Sequence, residues 1–184
     1  MNSTEFINTA YPAAVATQNK YGLPALAIIA QSALETGFGK SIVGNMYLGI
    51  KAGTSWNGKR QLLWTHEEVN GVSTRVQAWF RAYNSAYESF MDYGNFITSN
   101  PRYADALNFP DDPENYIKAV AHAGYATDSN YANKIISIIS DLKNLIVETG
   151  ISPNLIVPTM VGIGTGTLLI IGAIGYLIYK GFKT

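Results

Sequence analysis

Two of the thirteen acidic residues, Glu35 and Glu67, stand where a carboxyl group can do chemistry. Leu26, Ile29, Ala30, Ala33 and Leu34 form an apolar stripe at helical spacing that runs from Pro24 into Gly37 and Gly39, so Glu35 falls in the last turn of a helix. The C-terminal end of a helix is the negative end of its dipole and disfavours a carboxylate. With partial burial, that placement raises the carboxyl pKa and keeps a proton available near neutrality. A solvated glutamate on a fraying helix end is the alternative.

Glu67 is selected by strand alternation. Asn70-Gly71 is the two-residue sequence that a type I′ hairpin turn requires, and with that turn Val69 pairs with Val72 and Glu67 with Thr74. One face then carries Leu63, Thr65, Glu67, Val69, Val72, Thr74, Val76 and Ala78. The other carries Leu62, Trp64, His66, Glu68, Ser73, Arg75, Gln77 and Trp79. Glu67 is the single acid on a mostly apolar face, whereas Glu68 sits with His66 and Arg75 in a solvated charge cluster. A one-residue register slip would exchange the two.

A glycosidase needs one protonated acid at the leaving oxygen and usually a second carboxylate across the sugar as base, nucleophile or cation stabiliser. Glu35 and Glu67 fit that pair. Other chemistries fit less well. His66-Glu67-Glu68-Val69-Asn70 begins like the zinc-protease string H-E-x-x-H but ends in asparagine and lies on a strand. With two histidines and no cysteine, neither a metal nor any other cofactor is expected. Lys180 and Lys183 lie beyond every acid, so the part before Gly150 has eleven basic against thirteen acidic residues. A net charge of −2 offers no footprint for nucleic acid.

These residues need elements to hold them. Ser3 or Thr4 can cap a first helix reaching about Gln18, and Pro24 opens the helix that carries Glu35. The period shortens to two between Tyr47 and Tyr83, which predicts a small β-lobe. Helical signals return with Ser85 and Glu88 spaced as a capping box, and with Asp112-Pro113 as a helix start. Asp128 or Ser129 then caps a last helix with Ile135, Ile138, Ile139, Leu142, Leu145 and Ile146 along one stripe. The fold class is α+β, mostly α, with a hairpin lobe.

Six strings together give a resemblance. AIIAQSALETGFGKS at 27–41 is similar to the catalytic-helix motif L-E-[ST]-G-[WF]-G of the bacterial autolysin and flagellar-rod glucosaminidase family, glycoside hydrolase family 73. NMYLGIKA at 45–52 resembles its N-N-L-F-G-I-K segment, departing at Met46 and Leu48, and WTHEEVNG at 64–71 resembles its T-T-E-Y-x-[DN]-G hairpin. FRAYNSAYESFMDYGNFI at 80–97, NPRYADAL at 100–107 and AGYATDSNYANKI at 123–135 follow further family strings, with Ser129 in place of a proline. The resemblance covers residues 4 to 146 and implies a lysozyme-like helical fold cutting β-1,4 bonds of peptidoglycan. The bond it implies is the one after N-acetylglucosamine. It makes Glu35 the general acid, Glu67 the second acid and Tyr125 a residue of the active cleft; a core tyrosine is the alternative for Tyr125. Asn45, Tyr47 and Trp64 are the expected substrate contacts, and Trp56 and Trp79 could also stack on sugar faces, although part of this aromatic set belongs to the core.

Beyond the domain (residues 1–149) and a linker (150–154), residues 155–179 carry no charge. At 1.5 Å per helical residue this run outreaches a hydrocarbon core of roughly 30 Å, so a transmembrane helix is expected, followed by a basic tail at 180–184. The N-terminus has neither a basic n-region nor an apolar h-region. The expected location is therefore a virion's internal membrane, reached from the cytoplasm, with lipid and virion proteins as neighbours; an ordinary bacterial envelope is the rival. A muramidase or transglycosylase of the same fold, a silent structural protein and a membrane-permeabilising helix are the competing functions.

Overall fold

The computed structural model describes residues 2–69, 72–126 and 128–148, with side chains described for all of these except 66–69, 72–73 and 145–148. The chain divides into two compact units, residues 1–140 and 141–184. The first holds all the site residues. Of the second, the described part is the end of the last helix.

Helix α1 (Ser3–Tyr21) starts one residue earlier than a Ser3 cap implies and two earlier than a Thr4 cap implies. Asn2 is the cap, because its side chain accepts from Glu5 N while the Glu5 carboxylate accepts from Asn2 N, a reciprocal capping box. Helix α2 (Ala25–Thr36) begins after Pro24 and ends at Gly37, whose φ of 57° makes it a left-handed cap. Nine of its twelve residues are buried, so α2 is the central helix of the unit. It packs on α1 and on α4 (Pro113–His122), and α1 packs in turn on α3 (Ala86–Ser99). At Gly94 a Cβ would lie 2.3 Å from Tyr21 Cδ2, so the α1–α3 crossing is set by that glycine. Phe6, Ile7, Ile28, Ile29, Phe90, Ile97 and Ile117 form the dry centre. Each fully buried side chain of this size contributes about 1.5–3 kcal/mol relative to exposure.

The β-lobe is smaller than the period-two reading suggested. Strands β1 (Arg60–Val69) and β2 (Val72–Arg81) pair antiparallel, while the segment before Arg60 is irregular apart from a bridge between Lys51 and Phe80. Gly49, Gly53 and Gly58 and the Thr54–Ser55 turn interrupt regular pairing there. The register is the expected one, Val69 with Val72 and Glu67 with Thr74.

Ser85 caps α3 by accepting from Glu88 N, and the Glu88 carboxylate accepts from Asn84 N, not from Ser85 as a strict capping box would have it. A 3₁₀ helix (Pro101–Asn108) follows that no apolar period announces. Asp112 caps α4 through Asn115 N, and Asp128 accepts from Asn130 N and pairs with Lys134 at 2.6 Å just before α5 (Tyr131–Glu148). No helix among the described residues is long and apolar enough to cross a membrane, and the expected span at 155–179 lies outside the described residues.

Candidate active site

The last turn of α2 is held rigidly, and this fixes where Glu35 points. After Thr36 the backbone takes three consecutive left-handed residues, Gly37, Phe38 and Gly39. Phe38 is the uncommon member, a bulky side chain at φ 55°. Its N–H donates to Ala33 O at 2.8 Å and its ring meets Phe6 edge-on at 5.9 Å. Gly39 N donates to Thr36 Oγ1 at 2.9 Å. The helix end is therefore stapled to the core directly beyond Glu35.

Glu35 keeps solvent-accessible surface, yet enough protein surrounds its carboxyl that desolvation raises its pKa above the usual carboxylate value. One side of the group therefore meets water while the others meet protein. Gly49 is one such neighbour, since a Cβ there would sit 3.1 Å from Glu35 Oε2. The phenols of Tyr125 and Tyr131 are others. Burial pushes both up first, and the negative charge of Glu35 adds to each.

Behind the acid lies a buried polar relay that sequence reasoning missed. Gln31, one helical turn before Glu35, donates from Nε2 to Tyr131 Oη at 2.9 Å and accepts at Oε1 from Tyr93 Oη. Tyr93 Oη is also 3.0 Å from Tyr116 Oη. Gln31, Tyr93 and Tyr116 are fully buried, so each hydroxyl here depends on these partners. Tyr125 stacks on Tyr131 at 5.9 Å and meets Tyr93 and Tyr103 at 6.1 and 6.2 Å. Its own hydroxyl is shielded from solvent and has no hydrogen-bond partner among the described residues. Tyrosine spacing in the sequence carries no signal for this cluster, because its members come from α3, the 3₁₀ helix, α4, the stretch just after α4 and α5.

The other expected site residues are placed unequally. Asn45 is exposed at φ 52°, but its Nδ2 donates to Tyr83 O at 3.1 Å and so ties down the 43–47 turn. Tyr47 requires correction as a sugar-stacking residue. It is 3% exposed, lies against Phe6 and Phe90 at 6.2 and 5.6 Å, and its N–H donates to Ser89 Oγ, so it is a core residue. Trp64 is 58% exposed, with the Arg75 guanidinium 4.5 Å from its ring centre. Leu62 and Trp79 share its exposed face, while Leu63, Thr65, Val76 and Ala78 on the opposite phase are half-buried. Position 67 is in phase with Leu63 and Thr65, so the register does not bring Trp64 and residue 67 to one face. The side chain of Glu67 lies outside those described. Trp56 is half-buried: its Nε1 donates to Lys59 O, and the Arg81 guanidinium, itself paired with Asp92 at 2.9 Å, lies over its ring.

A family model described as glucosaminidase, mannosyl-glycoprotein endo-beta-N-acetylglucosaminidase, matches residues 11–144. The chain is 37% identical over 149 residues to the peptidoglycan hydrolase FlgJ of Pseudomonas aeruginosa, a match covering 77% of this chain and 37% of that protein. It thus spans well under half the length of that relative. Among solved structures, a peptidoglycan hydrolase mutant from Sphingomonas sp. A1 superposes with a TM-score of 0.73 at 33% identity, covering 78% of this chain and 98% of that one. A C-terminally truncated glycoside hydrolase domain of Salmonella typhimurium FlgJ superposes with a TM-score of 0.65 at 37% identity, covering 78% and 99%.

Proposed function

Because the chain belongs to the glucosaminidase family, a family of glycoside hydrolases, we propose that it hydrolyses β-1,4 bonds of the peptidoglycan glycan with Glu35 as the proton donor. The observation that carries this reading is the Glu35 carboxyl on the end of α2, still open to water yet raised in pKa by the protein around it. A carboxylic acid that keeps its proton toward neutrality can protonate a glycosidic oxygen as the C–O bond breaks. Tyr125 is the second participant: its hydroxyl is shielded from solvent and feels the charge of Glu35, so its proposed role is exercised on the carboxyl of the acid. The bond assigned is the one after N-acetylglucosamine, on the strength of the family.

Glu67 is assigned the second carboxylate. Support comes from the hairpin string at 64–71 and from the observed register, which keeps position 67 in phase with the half-buried Leu63 and Thr65. Removing a stabilising charge from an oxocarbenium-like transition state is expected to lower the rate by about 10²-fold or more. Glu67→Gln should therefore lose most clearing of purified peptidoglycan while Glu68→Gln retains it. The reverse result would transfer the role to Glu68.

Residues 155–179 are assigned to a membrane anchor, on the length of their uncharged run. Flotation of the full chain with liposomes, set against loss of flotation on deleting 155–184, tests the anchor. Recovery in purified virus particles is the outcome expected of a virion lysin, and recovery only in uninfected cell envelopes contradicts it.

A further inference from the structure

Gly49 lies so close to Glu35 that a side chain at that position would crowd the carboxyl. A Cβ on it would stand 3.1 Å from Oε2 and 3.9 Å from Cδ of the acid. Its φ is not in the left-handed region, so the backbone conformation alone does not call for glycine. The close approach favours it, because with a Cβ there one of the two neighbours would have to give by a few tenths of an ångström.

The backbone around Gly49 has little room to retreat. On one side Tyr47 and Leu48 are buried in the core, and Tyr47 N donates to Ser89 Oγ. On the other side the chain is sewn to β2, with Arg81 N donating to Ile50 O at 2.9 Å and Ala52 N donating to Trp79 O at 2.8 Å. Between these anchors Ile50 N donates to Leu48 O at 2.8 Å, an i→i+2 bond that closes a tight turn centred on Gly49. The strap 47–52 thus runs from the helical core to the hairpin lobe and passes Glu35 at its turn.

We propose that Gly49 is a positioning residue for the reaction: the clamped strap presents a bare backbone against Glu35 and thereby sets where the acid's carboxyl stands. The inference rests on the reading of Glu35 as proton donor. If a methyl group is added, the strap is held at both ends and the partner is the far end of a flexible side chain with open water beside it. The carboxyl yields, and the strap stays. The fold then keeps its stability while the proton donor moves by a few tenths of an ångström or swings to another rotamer. A misplacement of about 1 Å at a reacting group can cost about 10²-fold in rate.

The test compares Gly49→Ala with Gly53→Ala, a substitution in the next stretch of the same loop where a Cβ meets nothing within 4 Å. For full-length protein acting on purified peptidoglycan, Gly49→Ala is expected to lower kcat about tenfold or more. KM should stay within about twofold and the melting midpoint should stay near that of the parent, because no substrate contact or core contact is removed. Gly53→Ala should change none of the three. A double-mutant cycle with Glu35→Asp supplies a reading that mere damage to the strap would not give. Aspartate is one methylene shorter and withdraws from the added methyl group, so Gly49→Ala should cost much less in that background. Wild-type kcat in Gly49→Ala, or equal losses in the parent and Glu35→Asp backgrounds, would overturn the proposal. Glu35→Gln run in parallel separates the two readings: activity in that variant removes the proton donor itself, whereas an inactive Glu35→Gln beside a fully active Gly49→Ala removes only the positioning role.

Discussion

Glu35→Gln is expected to lower the rate of peptidoglycan solubilisation by roughly 10²- to 10⁴-fold, the range over which a positioned general acid acts. Glutamine keeps the shape and the hydrogen-bonding capacity of the side chain and removes only the transferable proton. The loss should fall on kcat. In the parent, activity should decline as pH rises through the raised pKa of Glu35, since only the protonated form donates. That alkaline limb should be missing from the residual activity of the variant.

The same pKa shift has a consequence for stability, with a definite sign. A carboxyl whose folded-state pKa is raised binds its proton more tightly in the folded protein than in the unfolded chain. It costs the fold nothing below the unfolded value of about 4.5. Its cost grows as pH rises from there and is complete above the folded pKa. Glu35→Gln should therefore melt at the same temperature as the parent near pH 4 and at a higher temperature near pH 8. A variant less stable than the parent at pH 8 would show that the carboxylate is favourably held, contrary to the site described.

The second large effect is on stability and lies one turn back along α2. Gln31→Leu preserves the approximate volume but leaves Tyr131 Oη without its donor and Tyr93 Oη with Tyr116 alone. An unsatisfied buried hydroxyl costs about 1–3 kcal/mol. In a unit of this size that corresponds to a fall in the melting midpoint of roughly 4–10 °C. Because Tyr131 stands beside Glu35, activity should fall as well, by far less than in Glu35→Gln. Thermal melts at pH 8, read beside activity, separate the residue that stabilises from the residue that reacts: Gln31→Leu should melt below the parent, and Glu35→Gln should melt no lower than the parent yet be inactive.

The parts of this site that were legible in sequence are those set by local chemistry. Gly37 and Gly39 after an apolar stripe fix the end of α2, and with it the height of Glu35. Asn70-Gly71 fixes the hairpin register down to the Glu67–Thr74 pair. Asp112 and Ser85 declare their helices through side chains that satisfy backbone N–H groups three residues on. What escaped is tertiary. Tyr47 has the composition of a sugar-stacking residue, and only its position between Phe6 and Phe90 makes it core. Trp64 and residue 67 were both expected at the substrate, but strand alternation puts them in opposite phases, a consequence already contained in the period of two. The Gln31 relay joins residues far apart in the chain, and no spacing rule connects residue 31 with residues 93, 116 and 131. Gly49 carried a motif letter in sequence and gained a physical reason only from the approach of Glu35.

In this reading Glu35 gives its proton to the glycosidic oxygen that departs when the peptidoglycan glycan is cut. Mass analysis of borohydride-reduced digests, taken from parent and Glu35→Gln protein at equal concentration, tests it most directly. New reduced N-acetylglucosamine ends are expected from the parent and none above background from the variant over the same time. The same ends appearing at the parent's rate from Glu35→Gln would contradict it.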